Sequence, residues 1–237
     1  MSKRICVINF SDDAGNFKVG QTRLVESLRN VGYNGDIQLY NSHYQLGCKP
    51  HAEVPYQFKV YAIHKAYKDG YDTILYCDSS IWAIKDVAPC FEYITEKGYL
   101  FEVAMPPQQV EGCGFYLGEW CSDIALNKFG ITRDEAFKMQ MHSAGFTGLD
   151  FSNNKSKEFI EQWFEYAKNE ETFKGAWKND NNEVSDDIRC SGHRHDQSVA
   201  TYLANKLEME AIKPHFMQYL YENVVVNKSS IFLCQGI

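Results

Sequence analysis

The strongest constraint on this chain is a short run of β-forming residues that ends on a carboxylate. Thr73–Cys77 has the sequence Thr-Ile-Leu-Tyr-Cys, begins soon after Gly70, and leads directly into Asp78, Ser79 and Ser80. An unbroken apolar run of this length is typical of a strand that is buried on both faces, as the parallel strands of α/β proteins are. We therefore predict a core strand that delivers three polar side chains to its carboxyl end.

The carboxyl edge of a parallel sheet is where α/β folds bind their ligands, so Asp78 is the first candidate for a functional site. Ser79 and Ser80 join it as candidate ligand contacts. The alternative is an ordinary turn, because Asp and Ser are frequent in turns for local reasons alone.

The chain before this strand has the pattern of a strand, a helix and a second strand. Ile5–Phe10 is predicted as the first core strand, residues 19 to 30 as a helix, and residues 37 to 40 as the next strand. Residues 11 to 16 are predicted as the loop that leaves the carboxyl end of this first strand, and a nucleotide base or ribose would rest there. The first turn lacks a Gly-x-Gly-x-x-Gly fingerprint, which argues against a dinucleotide-dependent oxidoreductase.

Further elements follow from periodicity and from helix start and stop signals. We predict helices beginning at Pro55, Pro89, Thr132 and Ser156, strands at residues 99 to 103, 224 to 226 and 231 to 234, a surface loop at 41 to 54, and a flexible loop or lid at 169 to 192. In the helix from Pro55, Lys59 lies beside the apolar face. It is predicted either to reach a diphosphate or simply to solvate the helix.

Two segments suit close contact with a ligand. Residues 111 to 123 are rich in Gly and aromatic residues and include Glu119, Trp120 and Asp123, although a packing loop explains them equally well. Residues 139 to 151 are apolar with small residues, and Gly145 would let a ligand lie against the backbone.

Residues 193 to 197, His-Arg-His-Asp-Gln, open a late helix. Asp196 would lie at the amino end of this helix, where free amides and the helix dipole stabilise a carboxylate and keep its pKa low. A simple N-cap is the alternative. The neighbouring Arg194 and His195 favour a functional site.

Composition excludes several function classes. The 24 basic and 31 acidic side chains give a net charge of -7, so general electrostatic attraction to nucleic acid or to anionic membranes is absent, and a local basic groove is the alternative left open. No apolar stretch approaches the length of about 18 residues that a membrane span needs, and we expect a soluble, cytoplasmic protein. Eight scattered cysteines without a Cys-x-x-Cys pair are typical of reduced core residues.

Four motifs, taken in order, resemble the GT-A type glycosyltransferases, in particular the small single-domain members of large DNA viruses, phages and bacteria. The motifs are Pro-Tyr-Gln-Phe-Lys at 55 to 59 with Tyr-Ala-Ile at 61 to 63, Tyr-Cys-Asp-Ser-Ser at 76 to 80, Ser-Ala-Gly-Phe-Thr-Gly-Leu-Asp at 143 to 150, and His-Asp-Gln at 195 to 197. The resemblance implies the α/β class, with a GT-A-like Rossmann-type mixed sheet flanked by helices in a single domain over residues 1–237. The donor-binding half would span about 1–105 and the acceptor-side half about 106–237.

The activity implied by the resemblance is transfer of a hexosyl or pentosyl group from a nucleotide-diphosphate sugar, such as a UDP-sugar, to a hydroxyl acceptor. The acceptor would be a glycan or a hydroxymethylated base of phage DNA, and the setting of a viral member would be the host cytoplasm. The alternative is a non-catalytic protein of this fold that binds a sugar nucleotide or a carbohydrate.

The resemblance also implies roles for individual residues. Asp196 would be the catalytic base, with Asp150 as the second candidate. The implied donor contacts are Asn9, Phe10, Lys59, Asp78, Ser79, Ser80, Glu119, Asp123 and Arg194, and the implied acceptor contacts are Gly145, Phe146 and Trp120.

A divalent metal, Mn²⁺ or Mg²⁺, is the implied cofactor, with Asp78, Ser80 and His195 as ligands. The family's Asp-x-Asp motif is Asp-Ser-Ser here, and a serine hydroxyl is a poor ligand for a hard cation that bridges a diphosphate. Two alternatives follow. Either Asp78 and His195 hold the metal, or Lys59, Arg194 and a protonated histidine carry the leaving-group charge without it.

Overall fold

Strands and helices alternate along most of the chain. The computed structural model describes residues 3–12, 15–104, 115–220 and 225–235. Within these ranges the strands are β1 (Ile5–Phe10), β2 (Asp36–Tyr40), β3 (Thr73–Cys77), β4 (Ile81–Ala83), β5 (Tyr99–Val103), β6 (His142–Asp150), β7 (Met217–Tyr219) and β8 (Phe232–Cys234). The α-helices are α1 (Phe17–Asn30), α2 (His43–Leu46), α3 (Gln57–Lys68), α4 (Ala88–Lys97), α5 (Asp123–Phe129), α6 (Arg133–Ala136), α7 (Asn154–Asn169) and α8 (His195–Lys206). Short 3-10 helices cover Glu171–Phe173 and Asp180–Asn182.

The main sheet has five strands in the order β2-β1-β3-β6-β5. β1 runs parallel to both β2 and β3, whereas β6 runs antiparallel to β3 and to β5. All five residues of β3 are buried, as expected for a central strand covered on both faces. The predicted α/β class with a mixed sheet flanked by helices is confirmed.

Side chains of the central strands alternate between two hydrophobic layers. On one face Ile8 and Tyr76 pack with residues of α3, α7 and α8, and on the other face Val7 and Leu75 pack with residues of α1 and α4. This period of two places a helical layer on each side of the sheet. The amino ends of α3 and α8 therefore meet near the carboxyl end of β3.

A second sheet of three strands, in the order β4-β8-β7, carries the last part of the described chain. Its connection to the main sheet depends on Glu102, whose side-chain oxygen Oε1 accepts the backbone N–H groups of His215 and Phe216 at 3.1 and 2.6 Å. The N–H of Met217 also points to this carboxyl group, at 3.3 Å from Oε2. One buried side chain thus holds the start of β7.

Several boundaries agree with the sequence predictions and others differ. The strands predicted at Ile5–Phe10, Thr73–Cys77 and Tyr99–Val103 have these bounds in the structure. The strand predicted at 224 to 226 is wrong for Val225 and Val226, which are exposed and belong to no strand, while residue 224 lies outside the described part. The predicted loop at 41 to 54 contains α2, closed by a capping box on Ser42. Residues 111 to 114 of the predicted aromatic segment also lie outside the described part.

The polar segment at 169 to 192 extends from the main fold as a long loop that is held by hydrogen bonds, and this loop is called the excursion. At its base, the N–H of Asn179 donates to the carbonyl of Ser191 at 2.9 Å, and the N–H of His193 donates to that of Ala176 at 3.1 Å. Nearer its tip, the buried guanidinium of Arg133 donates to the hydroxyl of Ser185 at 3.0 Å. Whether this segment acts as a lid stays a prediction. No helix in the described ranges is both long and apolar enough to cross a membrane.

Candidate active site

The turn after β3 is built to hold the backbone of Asp78 in place. The N–H of Asp78 donates to the carbonyl of Gly145 on β6 at 2.8 Å. On the other side, the amide of Asn9 donates to the carbonyl of Cys77 at 2.7 Å, and the hydroxyl of Ser79 donates to the carbonyl of Phe10 at 3.1 Å. Asn9 and Ser79 are almost fully buried, so they shape the turn, and the Asp78 side chain, 36% exposed, is the group offered to a ligand.

A buried ammonium group joins two carboxylates at this edge of the sheet. Lys59 lies in the first turn of α3, and its Nζ is 3.4 Å from Oδ1 of Asp78 and 3.0 Å from Oδ2 of Asp196. Asp196 lies in the first turn of α8. The side chains of Lys59 and Asp196 are only 3% and 5% exposed. The structure thus brings together three residues that are far apart in the sequence, and the alternative of Lys59 as a solvating residue is wrong.

The charges of this cluster support one another. Burial disfavours the charged form of Lys59, but the carboxylates of Asp196 and Asp78 outweigh that effect and raise its pKa. Burial also raises the pKa of Asp196, and the ammonium of Lys59 offsets this only in part. The predicted low pKa of Asp196 is therefore wrong, because the carboxyl group is buried rather than solvated at an open helix end.

Two residues with left-handed backbone conformations flank the cluster. Tyr56 precedes α3 with φ 58°, and His195 opens α8 with φ 47°. Their rings stack with centroids 5.7 Å apart. Such backbone strain in residues other than glycine is concentrated at functional sites. Sequence reasoning missed Tyr56, since nothing in the residue type signals a positive φ.

Aromatic rings enclose the Lys59 ammonium on its remaining sides. Its Nζ lies 5.3 Å from the ring centroid of Tyr56 and 5.4 Å from that of Tyr76. With two carboxylates and two rings around it, the ammonium has little surface left for a diphosphate. Lys59 is placed to act on a ligand through Asp78 and Asp196, and the expected direct contact with the donor does not match this geometry.

A second cation lies beside the cluster in a stack of aromatic rings. The guanidinium carbon of Arg194 is 3.8 Å from the ring centroid of Trp120 and 3.7 Å from that of Trp177. Its Nη1 donates to the carbonyl of Trp177 at 3.2 Å. Burial lowers the pKa of Arg194 to about 10, which leaves it charged at neutral pH. Sequence reasoning missed Trp177, and its one signal was a large aromatic residue within a polar stretch.

The neighbouring histidines are neutral. Burial lowers the pKa of His193 to about 3 and that of His195 to about 4. His193 accepts the N–H of Ser122 at 3.2 Å, and Nδ1 of His195 lies 3.0 Å from the carbonyl of Phe173. Burial thus disfavours a protonated form of either ring, which was expected as one alternative, and Lys59 and Arg194 are the cations beside Asp78 and Asp196.

The predicted metal ligands do not form a site for a hard cation. Asp78 is paired with Lys59, the Ser80 hydroxyl lies 3.3 Å from Sγ of Cys234, and His195 bonds to a backbone carbonyl. Throughout the described ranges, no three His, Cys, Asp or Glu side chains are grouped so as to hold a metal ion. Mn²⁺ and Mg²⁺ need several oxygen ligands at short range, so this donor set does not fit them.

Asp150 lies at the opposite edge of the sheet. In the antiparallel pairing of β6 with β3, Asp150 is opposite Thr73 at the start of β3, whereas Phe146 is opposite Cys77 at its end. The Asp150 carboxylate accepts hydrogen bonds from Lys3 at 2.6 Å and from the Thr73 hydroxyl at 2.9 Å. Asp150 as the second candidate base is therefore wrong, and its role is structural.

The other candidate contacts divide between site and core. Phe146 is fully buried against Phe232, with ring centroids 5.1 Å apart, so its predicted contact with an acceptor is wrong. The carboxylate of Asp123 pairs with Arg133 and accepts from Ser185, which ties it to the excursion. Glu119 accepts the Ser191 hydroxyl at 3.4 Å, close to the Arg194 stack.

Comparison with known proteins identifies the architecture of the fold. The sequence matches no family model and no curated protein. The structure is similar to that of mouse xyloside xylosyltransferase 1 in its apo form, with a TM-score of 0.54, 9% identity and 97% of each chain covered. It is also similar to a glycosyltransferase involved in the glycosylation of the major capsid of PBCV-1, with a TM-score of 0.52, 11% identity, and coverage of 97% of this chain and 92% of the other. The chain therefore has the fold of the GT-A type glycosyltransferases.

Proposed function

We propose that this protein is a glycosyltransferase that moves a hexosyl or pentosyl group from a nucleotide-diphosphate sugar to a hydroxyl group of an acceptor. The observation that carries the proposal is the ammonium of Lys59 between the carboxylates of Asp78 and Asp196. Removing three charges from water is unfavourable, and apolar residues would stabilise a core at least as well. A cluster of this kind at the ligand-binding edge of an α/β sheet is best explained by chemistry.

The reaction is a displacement at the anomeric carbon of the donor sugar. The acceptor oxygen forms the new bond to that carbon, the bond to the diphosphate oxygen breaks, and its electron pair leaves with the diphosphate. The hydroxyl proton goes to Asp196. A carboxylate whose pKa is raised by burial is a stronger base than a solvated one, and Lys59 keeps it ionised until it takes the proton.

The remaining charged groups fit the donor. Asp78 is the more exposed carboxylate of the pair and is placed to accept hydrogen bonds from sugar or ribose hydroxyls. Arg194 is held between two indole rings, so its N–H edge is fixed in direction and suits the oxygens of the leaving diphosphate. The steps of this scheme use the side chains of Asp196, Lys59, Asp78 and Arg194 and need no residues that bind a metal ion.

A second candidate is a protein that binds sugar nucleotides without turning them over. The poor fit of Asp78, Ser80 and His195 to a metal ion favours this candidate. Slow release of nucleoside diphosphate from a donor sugar in the absence of an acceptor would support the enzyme, and no release would support the binding protein.

The test is hydrolysis and binding of a panel of UDP-, GDP- and CDP-sugars by the wild-type chain and by Asp78→Asn. We expect wild-type hydrolysis of at least one donor, and an Asp78→Asn variant with a clearly raised donor Kd and KM. Asp86→Asn is the control, since Asp86 is an acid in a loop, where its carboxylate accepts the backbone N–H of Ala88 at 3.0 Å and takes no part in the cluster. Donor binding and turnover that are unchanged in Asp78→Asn would exclude this donor site.

A further inference from the structure

Aromatic side chains form a continuous row along the carboxyl edge of the sheet, on both sides of the carboxylate cluster. In order the rings are His43, Phe10, Phe58, His51, Tyr56, Trp177 and Trp120, with centroid separations of 4.9, 4.1, 6.1, 4.6 and 6.3 Å up to Trp177. The Arg194 guanidinium bridges the last two. The end at β1 lies where the donor nucleotide was placed by the sequence. At the other end, beyond Asp196, Trp120 is an expected acceptor contact and Arg194 is assigned to the diphosphate, but Trp177 has no assigned ligand.

Trp177 is the most open ring at that far end. Arg194 covers one side of the ring at 3.7 Å and the His195 ring lies tilted against it with centroids 5.7 Å apart. The residue is nevertheless 48% exposed, and the part of the ring that these groups leave uncovered is its open face. Exposing a large aromatic ring to water is unfavourable, but single exposed apolar residues are common on protein surfaces. An exposed ring that is also held rigidly is the case that indicates a binding surface.

Trp177 is held rigidly by its neighbours. Its carbonyl accepts from Arg194, and hydrogen bonds of the flanking Ala176 and Asn179 tie its segment to residues 191 and 193. A Cβ at Gly192 would lie 2.1 Å from the Trp177 carbonyl oxygen, which shows how closely the two sides of this loop approach each other. The ring is therefore a preorganised surface rather than a mobile side chain.

We infer that the open face of Trp177 is the acceptor subsite and that it binds a sugar ring of a carbohydrate acceptor. The inference rests on the proposed function. The ring of Tyr56 lies 6.3 Å from Trp177 on one side, and its centroid is 5.3 Å from Nζ of Lys59 on the other. A pyranose that lies on Trp177 with its C–H face would thus extend a hydroxyl group toward Asp196.

Charge distinguishes a sugar from a nucleobase as the occupant. A polynucleotide acceptor would need several cations to neutralise its phosphates, but the chain carries a net charge of -7. Among the residues around Trp177, Lys174 is paired with Glu170, and the Arg194 stack is bordered by the Glu119 carboxylate and the Ser191 hydroxyl. Carboxylate and hydroxyl groups are both partners for sugar hydroxyls, whereas the carboxylate repels a phosphate backbone.

The test compares Trp177→Ala, Trp177→Phe and Ile188→Ala with the wild-type chain. Ile188 is an exposed apolar residue of the same excursion, 98% exposed, and controls for changes in that segment. The probes are methyl hexopyranosides, methyl glycosides of disaccharides, and a single-stranded oligodeoxynucleotide. Acceptor binding is measured by saturation-transfer NMR with nucleoside diphosphate present, and donor hydrolysis is measured without acceptor.

We expect at least one glycoside to bind the wild-type chain, and Trp177→Ala to weaken it by about 10-fold or more, since a ring that stacks loses both contact area and orientation. Trp177→Phe should keep most of the affinity, and Ile188→Ala all of it. Donor hydrolysis should have an unchanged KM in Ile188→Ala. In Trp177→Ala, which removes one of the two rings that hold Arg194, the donor KM is expected to rise as well, so acceptor affinity is compared at nucleoside diphosphate concentrations that saturate each variant.

Three results would overturn the inference. One is equal glycoside binding in Trp177→Ala and wild type, or no glycoside binding at all. Another is a loss of glycoside affinity in Trp177→Ala that disappears when nucleoside diphosphate saturates the variant, which would assign the effect to the displaced Arg194 and the donor. The third is oligodeoxynucleotide binding that depends on Trp177. Absence of donor hydrolysis in the wild-type chain would instead refute the proposed function, so the two failures are distinguishable.

Discussion

Asp196 and Asp150 are both buried carboxylates, and they differ in the groups that surround them. Asp196 shares an ammonium with a second, more exposed acid at the carboxyl edge of the sheet. Asp150 is saturated by Lys3, Thr73 and Ser152 at the opposite edge. A carboxylate whose acceptor capacity is filled by fixed donors has no lone pair left for a substrate, so only Asp196 is suited to take a proton.

Replacing each of these acids by the isosteric amide separates chemistry from stability. Asp196→Asn should lower turnover by about 10² to 10⁴, the usual effect of losing a positioned base, with donor KM little changed. Asp150→Asn is the matched control and should keep turnover while lowering the free energy of unfolding by about 1–3 kcal/mol. Steady-state kinetics and urea unfolding measure both effects. Normal turnover in Asp196→Asn at saturating donor would make Asp196 a structural residue.

Gly145 is close enough to Asp78 to control where its carboxylate lies. A Cβ at this position would come 2.4 Å from Oδ2 of Asp78, a distance that forces one of the two groups to move. Gly145→Ala should therefore raise donor KM several-fold, because the carboxylate that binds the donor is displaced.

Gly148→Ala tests whether such an effect is specific to the site. A Cβ at Gly148 would come 2.5 Å from Cδ1 of Ile94, in the core, so this variant should lower Tm without changing donor KM. Equal KM values for both variants and the wild-type chain, measured below their Tm, would show that Gly145 does not position Asp78.

Among the strands and helices, those with a clear local sequence pattern were predicted well, whereas those that are recognised only through pairing with other strands were not. β3 was predicted at the bounds that it has in the structure because its five consecutive residues are apolar or β-branched, and the structure buries all five. β6 was recognised only as a segment of small residues, since its glycines and polar residues hide the strand pattern until β3 and β5 lie on either side of it. The direction of β6 was not in the sequence pattern, and the misplacement of Asp150 follows from that.

The candidate site shows the same division. Asp78 and Asp196 were predicted as candidates from their places at a strand end and at a helix start, although a turn and an N-cap were the local alternatives. Their grouping around Lys59 depends on the packing of α3 against α8, which no local pattern encodes. The pKa of Asp196 was predicted in the wrong direction for this reason, since burial depends on the complete fold.

The anchoring of the second sheet by Glu102 gives a prediction for stability. Glu102→Ala removes the acceptor of backbone N–H groups at residues 215 to 217 and should lower the free energy of unfolding by about 2–3 kcal/mol. Glu102→Gln keeps an acceptor oxygen and should lose less. Urea denaturation measures both, and an unchanged midpoint in Glu102→Ala would show that the anchor contributes nothing.

The same side chain makes stability depend on pH. Burial raises the pKa of Glu102 from 4.5 to about 7. The unfolded chain therefore releases this proton at lower pH than the folded chain does, so the contribution of Glu102 is fully present below pH 4.5 and is lost as pH rises through about 7. Between pH 5 and pH 7.5, the free energy of unfolding of the wild-type chain should therefore fall relative to that of Glu102→Gln. A difference between the two that stays constant over this range would contradict the raised pKa of Glu102.

For the whole molecule, donor binding should appear as added thermal stability. A ligand that binds only the folded chain, at about 100 times its Kd, adds about 2.7 kcal/mol. For a chain of 237 residues unfolding as one domain this should raise Tm by about 5 °C or more. A thermal-shift panel of nucleoside diphosphates should single out one base, and Asp86→Asn should respond as the wild type does. A panel in which no nucleotide shifts Tm would contradict a nucleotide site.

The position of β6 between β3 and β5 has a consequence for how the chain folds during synthesis. β5 is an edge strand whose one neighbour in the main sheet is β6, and β6 ends at Asp150. A ribosome-bound chain that has not yet reached that residue carries Tyr99–Val103 as an unpaired, largely apolar strand, with β3 open along one side. Sheet completion must therefore wait for contacts between residues some seventy positions apart, and such non-local closure is slow and leaves strand edges exposed to aggregation in the meantime. Recombinant yield should accordingly depend on synthesis rate and temperature more than on the stability of the finished fold.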